Sequence, residues 1–276
     1  YFWHVIKTVF FLRKQIRNSR SKLILSLNDW INPIVILASF FLDKRVIISD
    51  RTSPTRNLGV RNRLLKKILY PFANGAIAQT ERARKYLEEF LASNKVITIP
   101  NPVNAITHNN VTKKNIIITI FRLAIEKGHL TLIKAFANLA SNDWQLVIIG
   151  DDPEKSNLLE SAIRLGISSR VHFMGHLKDF GGYLSESEIF VLPSIYEGFP
   201  NALLEAMSVP LACISSDCIA GPREIIQHEK NGLLVKPGDV TELQEAIERL
   251  IENPQMRAAL ANEAYKVRDR YDFDTI

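Results

Sequence analysis

The sequence predicts an α/β protein made of two Rossmann-like, doubly wound parallel-sheet domains that face a cleft. Three observations predict it. Short apolar runs rich in β-branched residues recur along the chain, helical patterns of apolar residues separate them, and a polar stretch after residue 102 halts the alternation before it restarts. Strand alternating with helix gives βαβ units and hence parallel sheets. At 276 residues the chain is also longer than most single cores and suits two domains.

The elements follow in order. Leu23 to Leu27, Val46 to Ser49, Ala76 to Gln79 and Val96 to Ile99 read as buried strands. Helical patterns cover Phe2–Arg20, Asp29–Leu42, Arg61–Tyr70 and Thr80–Leu91. Pro100-Asn101-Pro102 ends this partial first domain, 1–102, and residues 103–114, with His108-Asn109-Asn110 among them, read as a linker. The second domain, 115–276, offers strands at Ile116–Ile120, Gln145–Ile149, Val171–Met174, Ile189–Leu192, Leu211–Ile214 and Leu233–Val235. Helices are expected near 127–140, 155–166, 201–208, 222–228 and 239–252, with a last one from about Pro254 to Arg270.

Composition narrows the function classes. With 46% hydrophobic and 23% charged residues the chain is an ordinary folded protein, not a disordered or collagen-like one. Cys213 and Cys218 cannot make a disulfide framework or a four-ligand zinc site and read as small buried residues in a reducing compartment. No apolar run reaches the roughly 18–20 residues needed to span a bilayer. The chain opens at Tyr1 without a signal-peptide pattern and reads as a fragment that starts inside a domain. Charge is asymmetric: residues 1–110 hold 18 Lys and Arg against 6 Asp and Glu, whereas residues 111–276 hold 17 against 23. A basic half suits an anionic partner, either nucleic acid or a membrane surface. The helix Phe2–Arg20 sets Trp3, Val9, Phe10 and Ile16 against Lys7, Arg13, Lys14 and Arg17, which fits either a membrane surface or packing on the sheet. No stacking-aromatic RNA motif or DNA-reading helix accompanies the charge, so nucleic acid is not expected as a partner.

Chemistry gathers where strands enter helices. Phe121-Arg122-Leu123-Ala124-Ile125-Glu126-Lys127-Gly128 follows the strand Ile116–Ile120, and two cations beside a helix N-terminus suit a diphosphate. Tyr196-Glu197-Gly198-Phe199-Pro200-Asn201-Ala202 follows Ile189–Leu192 and opens a helix that carries Glu205 one turn in. Two carboxylates so placed can accept hydrogen bonds from sugar hydroxyls, and open backbone N–H groups can bind phosphate. Ala220-Gly221-Pro222-Arg223-Glu224, Gly150-Asp151-Asp152-Pro153-Glu154 and Phe173-Met174-Gly175 sit at equivalent strand ends. His172, His176 and His228 read as structural or solvent-exposed.

Taken in this order, RLAIEKG at 122–128, GDDPE at 150–154, HFMG at 172–175, FVLPSIYEGFPNALLEA at 190–206 and AGPREII at 220–226 closely resemble the nucleotide-sugar-binding domain of retaining glycosyltransferases of family GT4, in the GT-B fold. The resemblance continues more faintly over 1–102 and is strongest to bacterial members that build lipopolysaccharide, capsule or lipid-linked oligosaccharides. It implies a UDP-sugar donor, a glycan or lipid-linked acceptor and no bound metal or other cofactor. Arg122 and Lys127 would grip the donor diphosphate and stabilise it as it leaves. Glu205 would hold the ribose hydroxyls and Glu197 the donor sugar. The backbone at Gly198, Phe199, Pro200, Asn201 and Ala202 would face sugar and phosphate. Gly150 and Gly175 would line the nucleotide pocket. Arg122, Lys127 and Glu197 are the residues expected to carry catalysis. It also implies a cytoplasmic protein at the inner face of the membrane.

Departures from the family pattern are specific. Phe121 stands where Gly usually precedes the Arg and would narrow the phosphate pocket; Asp152 stands where a second Gly is common. Asp50 and Arg51 occupy the place of the first domain's usual histidine. These departures keep a rival open, a decayed transferase that binds nucleotide sugar without turnover. A GT-B epimerase or phosphorylase would share the fold without this glutamate pair.

Overall fold

The computed structural model describes residues 2–54, 59–108, 111–151 and 154–276. Tyr1, Asn109, Asn110, Asp152 and Pro153, named above, lie outside them. The chain divides into two compact units, Tyr1–Pro100 and Asn101–Ile276.

The first unit is a parallel sheet in the order β1 (Leu23–Ser26), β2 (Arg45–Ile48), β3 (Gly75–Ala78), β4 (Val96–Thr98). Helices α1 (Phe2–Asn18), α2 (Asn32–Ser39), α3 (Val60–Leu69) and α4 (Glu81–Leu87) complete it. The core joins Val46, Ile48, Ala76 and Ala78 of the strands to Ile36, Leu69, Tyr70 and Leu87. α2 is shorter than the expected Asp29–Leu42. Asn28 Oδ1 accepts the Trp30 N–H at 3.0 Å, a local turn that competes with helix, and Pro33 fits only near a helix start. At the other end Phe40 already leaves helical geometry, with ψ 136°, and Phe41 follows at φ +60°.

The helix expected over Arg61–Tyr70 conceals a buried cation. Lys66 is 1% exposed. Its Nζ lies 2.5 Å from Asp50 Oδ2 and 3.7 Å from Asp29 Oδ1. Asp50 Oδ1 also accepts from Tyr70 at 2.6 Å and Asn32 at 2.9 Å, and Thr52 donates to Asp29. Asp50 is therefore committed internally and does not stand as a ligand-facing substitute for histidine. Two carboxylates share one ammonium. Burial, with Asp50 adding to it, raises the Asp29 carboxyl to about 7. Burial alone would lower Lys66, but Asp50 and Asp29 together hold it above the ordinary lysine value.

The second unit is a six-stranded parallel sheet in the order β10-β9-β8-β5-β6-β7. Its strands are β5 (Ile116–Ile120), β6 (Gln145–Ile149), β7 (Val171–Gly175), β8 (Ile189–Leu192), β9 (Ala212–Ser216) and β10 (Leu233–Val235). Its helices are α5 (His129–Ala137), α6 (Lys155–Arg164), α7 (Gly181–Glu186), α8 (Asn201–Met207), α9 (Pro222–Ile225), α10 (Val240–Glu252), α11 (Pro254–Tyr265) and α12 (Val267–Arg270). Consecutive strand residues feed opposite faces: Ile117, Leu146 and Ile148 join one core layer, and Ile118, Val147 and Phe190 the other. α10 buries Leu243, Ala246, Ile247 and Leu250 on one stripe and starts at an Asp239 cap that accepts the Glu242 N–H at 3.0 Å. Cys213 and Cys218 are free and buried, as expected of small core residues.

Three expectations change. The expected linker's described residues, 103–108 and 111–114, include three that bond to the second unit: the Val103 N–H donates to Tyr271 O, Ile106 N–H to Ser208 Oγ and Lys114 N–H to Glu186 O. Lys127 precedes the helix, in a short 3₁₀ turn at Ile125–Lys127, because Gly128 takes φ +68° before α5 starts. α9 ends at Ile225, since Ile226 is extended.

Candidate functional site

β5 is the first strand of the second unit; the chain then adds β6 and β7 on one side and returns to add β8 on the other. The strand order reverses between β5 and β8, and an open parallel sheet forms its ligand crevice outside the carboxyl ends at that point. The loops that leave β5 and β8 are Phe121–Gly128 and Pro193–Pro200, which hold Arg122, Lys127, Glu197 and Gly198.

Local geometry locks the two loops together. The Ile195 N–H donates to Glu126 O at 2.9 Å. Gly128 has φ +68°, and a Cβ there would lie 2.0 Å from Pro193 O, so only glycine allows this approach. Gly150 is held against the same region: its N–H reaches Gly175 O at 2.9 Å, and a Cβ on it would sit 1.8 Å from Phe121 O.

Lys127 Nζ lies 2.6 Å from Glu197 Oε1, and the Ser194 hydroxyl donates to that same oxygen at 2.7 Å. The carboxylate is 7% exposed and the lysine 17%. Glu197 is thus held by Lys127 and Ser194, and the lysine retains two further N–H donors. Phe121 is half-buried. Its ring packs 6.0 Å from Phe190 on the core, and Lys127 Nζ sits 5.3 Å from the ring centre, so Phe121 braces the lysine. Arg122 is exposed and 3.7 Å from Glu126.

Glu205 lies in α8, half-buried; burial raises its carboxyl above the usual range, and a hydrogen bond with Asn104 opposes the shift. The backbone from Phe199 to Ala202 offers less than the sequence suggests. Pro200 has no N–H, and that of Asn201 donates to Phe199 O at 3.0 Å, so two of the four positions can present one. Arg223 of the third cluster is exposed and paired with Asp217. Gly175 ends β7 beside Gly150.

Sequence reasoning missed His129. It is the first residue of α5, 2% exposed, beside Phe121 at 6.5 Å. Burial, with Lys127 adding to it, lowers the imidazole to about 4 and keeps it neutral. Neither ring nitrogen has a partner among the described residues. A histidine after Lys-Gly at a loop-to-helix turn was the available signal.

Comparison with known proteins bears on the family and the fold. The family model "Glycosyl transferases group 1" matches residues 104–267. An uncharacterized glycosyltransferase of Haemophilus influenzae is 28% identical over 204 residues, covering 72% of this chain and 58% of that protein. The chain thus spans under two thirds of that relative. A Campylobacter jejuni α-1,4-N-acetyl-D-galactosaminyltransferase, whose name gives it an undecaprenol-diphosphate-linked saccharide as acceptor, is 27% identical over 94% of this chain and 73% of its own length. Among solved structures, Anabaena Alr3699/HepE, crystallised with UDP, matches with a TM-score of 0.86 and 22% identity over 98% of this chain and 79% of that one. That likeness shows the α/β fold with parallel sheets, GT-B, expected from the sequence. With more than half of its length matched by the family model, the chain belongs to the glycosyl transferases group 1 family.

Proposed function

We propose that the chain is a retaining glycosyltransferase that moves a sugar from a UDP-sugar to a glycan or lipid-linked saccharide in bacterial surface-polysaccharide synthesis. The observation that carries the reading is the meeting of the β5 and β8 loops at the strand-order reversal, with Lys127 fixed between Phe121 and Glu197. The UDP and UDP-glucose complexes of the Anabaena protein and the acceptor named for the Campylobacter relative support the substrate classes.

The mechanism follows from where charge develops. Cleaving the sugar–phosphate bond builds positive charge on the anomeric carbon and negative charge on the departing diphosphate. A cation already in place stabilises that charge without reorganising during the step. Lys127 is such a cation: one N–H is spent on Glu197, which fixes its direction, and two remain for phosphate oxygens. Arg122 adds a second cation from the same loop. Glu205 accepts hydrogen bonds from the ribose hydroxyls, and Glu197 orients Lys127 while lying next to the sugar. The acceptor hydroxyl attacks on the face the diphosphate leaves, and the leaving phosphate takes its proton, so no side-chain nucleophile is needed. With two cations supplying the electrostatics, the reading requires no metal. The basic first unit brings the protein to an anionic membrane at the cytoplasmic face, where a lipid-linked acceptor resides; no helix among the described residues is long and apolar enough to cross a membrane.

The test is sugar transfer from a panel of UDP-sugars to undecaprenol-diphosphate-linked saccharides, with the anomeric configuration of the product read by NMR. Transfer with the donor's configuration kept, and lost in Lys127→Met, is expected. An inverted product would overturn the retaining assignment, and transfer that survives Lys127→Met would overturn the site.

A further inference from the structure

α3 is built inside out. The side chains it turns inward include Asn62 and Lys66, both buried, with Leu69. The side chains it turns outward are apolar at every fourth position: Val60, Leu64 and Ile68 are 87%, 55% and 53% exposed. The spacing of four continues to Phe72, in the 3₁₀ turn that follows, also exposed. Residues four apart lie on one helical face, so these side chains form a strip about 18 Å long. The strip does not stop at the helix. Phe72 packs edge-on to Phe40 at 5.1 Å, and Phe40 touches Phe41 at 6.2 Å. Phe41 is 100% exposed and holds φ +60°, a backbone state that a bulky side chain adopts at a cost. A folded chain ordinarily hides such side chains, and a contiguous exposed apolar strip marks a docking surface.

The charges beside the strip identify the occupant. Arg61, Arg63 and Lys67 are the exposed ionisable residues of α3, and the helix has no acidic residue. Arg63 pairs with Glu89 at 3.3 Å, at one margin of the strip. A second copy of this chain, laid strip to strip, would set these cations against their equivalents. An anionic lipid surface meets both demands: acyl chains and the headgroup boundary take the apolar strip, and the headgroup phosphates take the flanking cations. We propose that α3, with Phe72 and Phe41, is the face by which this protein lies on an anionic membrane. The inference rests on the membrane contact set out above and gives that contact an address; it assigns the role to α3, not to the basic amphipathic helix α1. Because the inward face of α3 carries the buried Lys66–Asp50–Asp29 network, the helix is held rigidly to its unit and its outward face is free to serve the lipid.

The experiment is co-sedimentation of the full chain with vesicles of phosphatidylglycerol and phosphatidylcholine in equal parts, and with phosphatidylcholine alone. UDP binding is measured on the same samples. Leu64→Ser with Ile68→Ser leaves the buried face of α3 untouched, and thermal unfolding confirms that the variant is folded. The expected results are partitioning to the anionic vesicles that falls with salt, a loss of about tenfold or more in the double variant, and a loss of about fivefold in Lys67→Glu. UDP affinity stays unchanged in both. Binding to anionic vesicles that survives the double variant but is lost on Lys7→Glu with Lys14→Glu in α1 would overturn the proposal, and so would no vesicle binding at all. A concentration-dependent dimer abolished by Leu64→Ser with Ile68→Ser would also overturn it, in favour of a second copy. Vesicle binding that follows α3 in a protein that binds no UDP would support the docking face while the transferase reading fails separately.

Discussion

Replacing Lys127 by Met removes an ammonium ion and keeps most of the apolar stem over Phe121. Glu197 is then left 7% exposed with the Ser194 hydroxyl as its remaining named partner, where before it had a cation at 2.6 Å. Breaking a buried pair from one side costs about 3–5 kcal/mol, because the orphaned charge stays desolvated. The surviving Ser194 hydrogen bond puts this case near the lower figure, about 3 kcal/mol. For a unit of this size that corresponds to a drop of roughly 6–12 °C in Tm. Adding Glu197→Gln removes the orphaned charge and should restore most of the stability. It should not restore nucleotide binding, since the diphosphate has still lost a charged donor. That loss is expected to weaken UDP affinity by roughly tenfold to a hundredfold. Thermal unfolding and calorimetric titration of the single and double variants separate the two effects. A single variant as stable as the parent would refute the buried pair, and a stable double variant with parental UDP affinity would refute the role of Lys127 at the diphosphate.

Further outcomes follow from the same geometry. Glu205→Ala and Arg122→Ala should each weaken UDP binding by roughly tenfold, and unchanged calorimetric affinity in both would sink the donor-site assignment. His129, held down to about 4, adds stability that is complete above its unfolded value near 6.5 and is lost as pH falls through about 4, on the order of 3 kcal/mol. Urea unfolding of His129→Phe should lack this acid-side loss, and an unaltered pH profile would count against a buried neutral imidazole. Asp29 has the opposite sign: raised to about 7, it favours the folded first unit below pH 4 and that contribution fades as pH rises through about 7. Asp29→Asn should therefore flatten the decline of first-unit stability between pH 5 and 8, measured by tryptophan fluorescence, and a steeper decline would contradict the raised Asp29 carboxyl. Gly128→Ala should destabilise the second unit by about 2 kcal/mol or more, because the new methyl meets Pro193 O and φ is positive; calorimetric unfolding at the parental Tm would refute the close approach.

Much of this was legible in the residues, and the exceptions share a cause. β5, β6 and β8 were found because each is a run of Ile, Val, Leu and Phe buried on both faces, a pattern that few helices imitate. The loop clusters were found because Gly128, Gly198 and Pro200 mark turns between such runs. What escaped was set by contacts between distant positions. Lys66 reads as one more cation of the basic first half until Asp29 and Asp50, 37 and 16 residues away in sequence, are folded onto it. Lys127 and Glu197 were named separately, but 70 residues separate them and nothing local says that they pair. The polarity of α3 is not legible for the same reason. A helix is normally assigned its inner face by its apolar residues, and here the polar Asn62 and Lys66 face inward. What the Phe121 ring packs on was not legible either, because it rests on Phe190, on the neighbouring strand.

The proposed function requires a nucleoside-diphosphate sugar to bind where the β5 and β8 loops meet. The most direct measurement is an amide ¹H–¹⁵N spectrum of the chain titrated with UDP. Shifts concentrated at residues 122–128, 150, 175 and 197–205 are the expected result, with the first unit quiet. Shifts confined to the first unit would contradict it.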